Sequence, residues 1–158
     1  MGMFSLTAKV CDTRIGPGVG ADAGTDDDVK VRCKRFNGDS CITDILDKEW
    51  EDDFEQGSTE TWNKEWLGNC TDFKPIKDLK CRFVLENFRR DSGPLKMCKL
   101  TLDFGSRILP RRRTVWEWSG ERVFTHSEDS FVWNLETGYW DKTKKESENW
   151  LEMQRRQR

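Results

Sequence analysis

The sequence predicts an all-β chain that folds as an antiparallel β-sandwich, and three observations support this. Apolar and polar residues alternate along most segments, which is the period of strands that bury one face. Turn signals separate the segments. One of them is Asn37-Gly38, which favours a tight hairpin turn because both residues tolerate positive φ. Eight Trp and nine Phe residues supply large side chains for a core. Short strands with turns between them are typical of two packed sheets.

The predicted strands follow in chain order. The first places Phe4 and Leu6 on one face, with Ser5 and Thr7 on the other. Further predicted strands cover residues 29–33, 41–46, 59–66, 81–85, 98–104, 116–118, 123–124 and 131–135.

A chain of 158 residues fits a single domain with a core of its own. We expect one sandwich over residues 4–140, because no helical period precedes residue 141. Residues 141–158 are rich in Lys, Glu, Arg and Gln. They are expected to form a short, charged C-terminal helix or tail.

The charge is small overall and unevenly distributed. The net charge is −2, so no strong field attracts nucleic acid. Residues 1–80 have 11 basic and 17 acidic side chains, and residues 81–158 have 16 and 12. The acidic first half suits a cation site. The basic runs 111–113 and 155–156 suit an anionic partner, or are simply solvated loop and tail.

The cysteines point to an oxidising compartment. The chain has six Cys and no Cys-x-x-Cys pair, which argues against a zinc ribbon or a redox motif. Asn69-Cys70-Thr71 is a glycosylation sequon with Asn69 as the acceptor. We therefore predict a secreted protein with most cysteines paired. The alternative is a reduced protein with buried free thiols.

Two acidic loops interrupt the strand pattern and flank one predicted hairpin. The first covers residues 14–28 and contains four glycines, and the second covers residues 47–57. Loops at the free ends of a hairpin's two strands lie at the same end of the sheet, so we expect them to converge. Calcium takes six to eight oxygen ligands, which acidic, glycine-rich loops can provide. The alternative is that these acids are exposed loop residues with no ligand.

The two loops also carry a family resemblance. Residues 21–27 (ADAGTDD) resemble the glycine–threonine–aspartate loop of PLAT domains (polycystin, lipoxygenase, alpha-toxin). Residues 52–62 (DDFEQGSTETW) resemble the second PLAT signature, and both motifs lie in the family's order. Residues 91–95 (DSGPL) fall where the family has a third loop, and the resemblance is poor beyond residue 105.

The resemblance implies an eight-stranded sandwich that binds Ca²⁺ and then membranes or protein partners. Exposed aromatics in such loops contact lipid in membrane-binding members. The resemblance therefore implies that Trp50 and Leu95 contact the membrane. Trp50 is equally suited to lie at the base of the loop as part of the core. Carried over by position, the calcium ligands are Asp22, the Gly24 carbonyl, Asp26, Asp52, Asp53 and Glu55.

No catalytic motif accompanies these loops. His126 is the single histidine, and the sequence has neither a nucleophile elbow nor a phosphate-binding glycine loop. We expect a non-catalytic, calcium-dependent module that binds a membrane lipid surface, with no small-molecule substrate and no nucleic acid. The alternative is a secreted protein-interaction or matrix module in which calcium only stabilises the loops. The module is either free-standing or part of a larger protein.

Overall fold

The fold was obtained as a computed structural model, which describes residues 2–16, 23–25, 28–35, 38–47, 53–73, 79–86, 95–105, 114–124, 131–135 and 137–142. Two short 3₁₀ segments lie within them, at Lys64–Trp66 and Gly68–Asp72. The strands of the described residues are β1 (Ser5–Val10), β2 (Asp28–Lys34), β3 (Ser40–Ile42), β4 (Thr59–Asn63), β5 (Lys80–Glu86), β6 (Leu95–Phe104), β7 (Thr114–Phe124), β8 (Phe131–Asn134) and β9 (Tyr139–Lys142).

The strands form two antiparallel sheets, so the prediction of an all-β sandwich is confirmed. One sheet has the order β4-β1-β6-β7 and the other β3-β2-β5-β8-β9. The described residues thus contain nine strands, where the resemblance implied eight. The last two form a hairpin that closes at Gly138, whose φ of 74° suits a glycine turn. The predicted C-terminal helix or tail lies outside the described residues, apart from the end of β9.

The core lies between the inner faces of the sheets and is rich in aromatic residues. Trp62 and Trp133 are fully buried, and Trp118 and Trp140 nearly so. Trp140 is central, because its ring lies within 5.9 Å, centroid to centroid, of four other aromatic rings. Of the tryptophans that the strand pattern predicts for the core, Trp62, Trp118 and Trp133 are buried in it, whereas Trp116 is only partly buried against it. Aromatic contacts of this kind add roughly 0.5–1.5 kcal/mol each beyond area burial.

Some strand bounds differ from those predicted. β3 ends at Ile42 and not near residue 46, because the Thr43 hydroxyl accepts from the Val31 amide at 2.9 Å, which interrupts the ladder. The Asp44 amide then donates to the Trp66 carbonyl at 2.9 Å. A continuous strand β7 replaces the two short segments predicted around residues 116 and 123.

All six cysteines are paired, as predicted. The disulfides join Cys11 to Cys98, Cys33 to Cys81 and Cys41 to Cys70. Three disulfides indicate an oxidising environment. None of the described helical segments is long and apolar enough to cross a membrane.

Candidate metal centre

The two acidic loops meet at one end of the sandwich, as the hairpin argument predicts. The Thr25 amide donates to the Phe54 carbonyl at 2.9 Å. The Ala23 amide donates to the Gln56 side-chain Oε1 at 3.0 Å. Two hydrogen bonds, one on each side of Gly24, therefore hold the first loop against the second.

Gly24 is required by how closely the loops approach. A Cβ atom built at this position would lie 2.6 Å from the Phe54 carbonyl oxygen and 2.9 Å from the Gln56 nitrogen. Both neighbours are backbone atoms, so they could not rotate away. The glycine of the first motif thus allows the backbone contact between the loops.

Phe54 anchors the second loop in the core. Its side chain is 2% exposed and its ring stacks on Trp62, with centroids 5.0 Å apart. Its φ of 57° is unusual for a residue other than glycine and turns the chain sharply at this point. Because Phe54 points inward, the neighbouring Asp53 and Glu55 are held at the edge of the core, with Asp53 half-buried and Glu55 exposed.

The second loop then closes on itself and on the end of β1. The Ser58 amide and hydroxyl both donate to the Glu55 carbonyl, at 3.0 and 2.7 Å. The Gly57 amide donates to the Cys11 carbonyl at 3.0 Å. The position of Glu55 is thereby tied to the backbone of β1.

A third segment, the start of β6, supports the first loop. The Lys96 amide donates to the Ala23 carbonyl at 2.9 Å. The Lys96 ammonium donates to the Thr13 hydroxyl at 2.7 Å and lies 3.7 Å from the Glu121 carboxylate. Lys96 therefore links the segment after β1, the first loop and β7.

Asp47 and Asp53 bring two carboxyl groups together. Partial burial raises the pKa of Asp47, and the hydrogen bond to Asp53 and the charge of that carboxylate raise this pKa further. The sequence placed Asp47 in the acidic run but not among the ligands. Its contact with Asp53 depends on how the second loop folds back, for which the sequence has no signal.

The predicted ligands are only partly within the described residues. Gly24, Asp53 and Glu55 belong to the joined loops described above. Asp22, Asp26 and Asp52 lie outside the described residues, as does the predicted lipid contact Trp50. Gln56, which sequence reasoning missed, accepts the Ala23 amide and completes the junction.

The carboxyl pair consists of the type of oxygen ligand that a hard cation prefers. Asp47 and Asp53 provide adjacent carboxylate oxygens whose mutual repulsion a divalent cation would relieve. Within the described residues, no group of three or more His, Cys, Asp or Glu side chains is arranged to hold a metal ion. The described part of the site is therefore a carboxylate pair beside a tightly packed loop junction.

The prediction that Leu95 contacts a membrane is wrong. Leu95 is fully buried as the first residue of β6, because a register shift between Met97 and Lys99 reverses the alternation and turns Leu95 and Met97 into the core. Ile45, two residues before Asp47, is 37% exposed. Leu46 and Phe54, which adjoin Asp47 and Asp53 in sequence, are buried, so Ile45 is an exposed apolar side chain close to the pair in sequence.

Asn69 lies on the surface beside the edge strand β3. Its side chain is exposed, and its Oδ1 accepts from the Ile42 amide at 2.8 Å. The next residue, Cys70, is bonded to Cys41 in the same strand. The sequon segment therefore covers the edge of β3, where an open strand would otherwise expose its amides.

Comparison with known proteins supports the fold. No family model matches the sequence, and no curated protein matches it. A coral 8R-lipoxygenase, described as calcium-activated through a C2-like domain, matches over 78% of this chain and 16% of its own, with 19% identity and a TM-score of 0.51. Two structures of lipoxygenase deletion variants match at 18% identity, with TM-scores of 0.42, over 89% and 90% of this chain and 15% of theirs. The chain is thus similar in fold to a small part of a much longer lipoxygenase.

Proposed function

We propose that the chain is a PLAT-type module, non-catalytic by itself, that binds a membrane surface when calcium occupies the two joined loops. The observation that carries this is the junction of the loops at Gly24 beside the Asp47–Asp53 carboxyl pair. The similarity in fold to a lipoxygenase with a calcium-activating C2-like domain also supports it.

Asp53 and Asp47 would hold the cation, together with the Gly24 carbonyl and Glu55. From the sequence we add Asp22, Asp26 and Asp52. Calcium would supply positive charge where these loops otherwise repel anionic headgroups.

Trp50 is the proposed aromatic lipid contact. Ile45 replaces the buried Leu95 as the proposed second, apolar lipid contact. Burying one indole contributes at most a few kcal/mol at roughly 25 cal/mol per Å². This is weak alone, so membrane binding should require calcium as well.

The second candidate is a secreted protein-interaction module in which calcium only stabilises the loops. The burial of Leu95 favours it, because one of the two predicted lipid contacts is absent from the surface. In either case we propose secretion, on the ground of the three disulfides, and a glycan on the exposed Asn69.

Liposome sedimentation tests the proposal. Vesicles containing phosphatidylserine should pellet the protein in calcium and release it in chelator. Trp50→Ala and Ile45→Ser should weaken sedimentation while calcium still raises the melting temperature. Val115→Ser is the matched control, because Val115 is 46% exposed on the other sheet. If calcium stabilises the protein but no vesicle pellets it, the membrane proposal is overturned and the second candidate is favoured.

A further inference from the structure

The glycosylation sequon lies within the second 3₁₀ segment, Gly68–Asp72, which fixes both of its reacting groups. The Asn69 side chain is exposed, and its Oδ1 accepts from the Ile42 amide at 2.8 Å. The half-buried Thr71 directs its hydroxyl back along the chain, where it donates to the Gly68 carbonyl at 3.1 Å. Transfer of a glycan requires the Asn amide and the Thr hydroxyl of the sequon in one enzyme active site. The segment therefore has to leave the surface of the fold before it can be an acceptor.

The middle residue of the sequon joins this segment covalently to the fold. Cys70 is fully buried and is bonded to Cys41 of β3, and its carbonyl accepts from the Met3 amide at 2.9 Å. Hydrogen bonds of this kind break and re-form in local openings of a folded protein. A disulfide does not open in this way, because its cleavage needs an attacking thiolate. The Cys41–Cys70 bond is therefore what retains the sequon on the fold.

A glycan on Asn69 is compatible with the folded structure once it has been added. Transfer joins the Asn69 Nδ2 to the anomeric carbon of a sugar held on a lipid pyrophosphate. The bond from that carbon to the pyrophosphate breaks, and the amide releases one proton. Because Oδ1 is unchanged, it can still accept from the Ile42 amide. The sugar then extends from an exposed side chain beside the edge of β3.

The order of the cysteines along the chain makes glycan transfer and disulfide closure competing steps. Cys41 precedes Cys70 by 29 residues, which takes a few seconds of synthesis at roughly 5–20 residues per second. Cys41 is thus already present when Cys70 enters an oxidising compartment. Disulfides form over seconds to hours, so closure begins on the timescale on which the new sequon reaches the transferase. Neither step always comes first.

We propose that Asn69 is glycosylated only while Cys70 is reduced, and that closure of the Cys41–Cys70 disulfide ends its modification. The protein is then made in two forms, with and without the glycan, that share the same disulfides. In closure the two thiols pass two electrons and two protons to the disulfide of an oxidoreductase, which becomes a dithiol. The inference rests on the proposed secretion and not on calcium or membrane binding.

Pulse-labelling of the chain behind a signal peptide in a secretory host tests the proposal. The wild type should give two bands, which an amidase that removes N-linked glycans merges into the lower one. Cys41→Ser leaves the sequon unchanged and should lose the lower band. Cys70→Ser keeps an Asn-x-Thr sequon and should do the same, even where another thiol captures Cys70 in the first variant. Because the glycan is scored on newly made chains, neither variant has to fold.

The matched control removes a disulfide that does not involve the sequon. Cys33→Ser together with Cys81→Ser deletes the bond between β2 and β5 and should keep both bands in the wild-type ratio. Thr71→Ala should give the lower band alone, which assigns the upper band to Asn69.

Transfer to the purified protein gives a second readout. The folded, oxidised and unglycosylated protein should not accept a glycan from the transferase and its lipid-linked donor, whereas the same protein reduced by a dithiol should. Acceptance by the oxidised protein, refusal by the reduced protein, a single wild-type band, or equal changes in the test and control variants would each overturn the proposal. These results leave the calcium and liposome measurements unaffected, so the two proposals fail separately.

Discussion

The carboxyl group of Asp47 interacts with that of Asp53, and the pKa of Asp47 is raised by its partial burial and by this neighbour. These residues lie on either side of the part of the second acidic loop that contains Trp50. Their contact means that the folded protein gathers negative charge beside the loop junction. We therefore expect protonation of Asp47 to change the stability of this end of the sandwich.

Replacing Asp47 by Asn should make the metal-free protein more stable than the wild type at neutral pH. The pKa of Asp47 is raised in the folded state above its ordinary value of 3.8. Protonated Asp47 therefore contributes fully to the free energy of unfolding below pH 3.8, and this contribution is lost as the pH rises through the raised pKa. An Asn amide keeps a donor for Asp53 at every pH. In chelator, the melting temperature of Asp47→Asn minus that of the wild type should be near zero at acid pH and positive at pH 7. A difference that does not change with pH contradicts this.

Calcium should raise the melting temperature, because only the folded state gathers the ligands. At free calcium about a hundred times the Kd, linkage gives roughly 2.7 kcal/mol, or about 5–10 °C for a domain of this size. Asp53→Ala should abolish the rise. Asp72→Ala is the control, because it removes an exposed carboxylate from the 3₁₀ segment Gly68–Asp72. This variant should still show the rise in melting temperature with calcium. An unchanged wild-type melting temperature at millimolar calcium would show that the loops hold no calcium.

Gly24→Ala should separate the two loops. The added methyl group meets backbone atoms of Phe54 and Gln56, so the junction has to open, at a cost of about 1–3 kcal/mol. Because the opened junction no longer holds the two loops together, the rise in melting temperature with calcium should be smaller in this variant. Gly16→Ala is the control, because a Cβ there meets no atom within 4 Å. Urea unfolding measures both variants, and equal stabilities would refute the close approach.

The Cys41–Cys70 disulfide closes the chain segment that contains the second acidic loop, across 29 residues. Replacing both cysteines by Ser should lower the free energy of unfolding by about 3–4 kcal/mol, because the unfolded chain regains the conformational entropy that the disulfide restricts. It should also weaken calcium binding, measured by calorimetric titration. A double variant that unfolds at the wild-type urea concentration would show that the bond contributes no stability.

The mass of the unreduced protein tests the pairing itself. With all six cysteines bonded, the mass should be lower by six hydrogens than that of the reduced chain. Alkylation without prior reduction should label no cysteine. A mass matching six free thiols, in protein from a secretory host, would remove the argument for secretion.

The sequence by itself determined the sandwich and the convergence of the acidic loops. Alternation is a local property, so it identified the buried faces of β1 and β2 and of the second half of β6. The two motifs that contain Gly24 and Phe54 were also visible in the sequence, but the close backbone approach at Gly24 and the anchoring of Phe54 on Trp62 were not.

Only the tertiary structure decided which side chains meet across the fold. Leu95 looked like a loop-tip residue, but the register shift between Met97 and Lys99 in β6 turns it into the core. Asp47 gained its role from the return of the chain to Asp53. Arg32 lies in the acidic half of the sequence, and pairing of β2 with β5 places it opposite Arg82 from the basic half. Strand pairing joins residues about 50 positions apart, and register is set by the packing of the whole core rather than by local pattern.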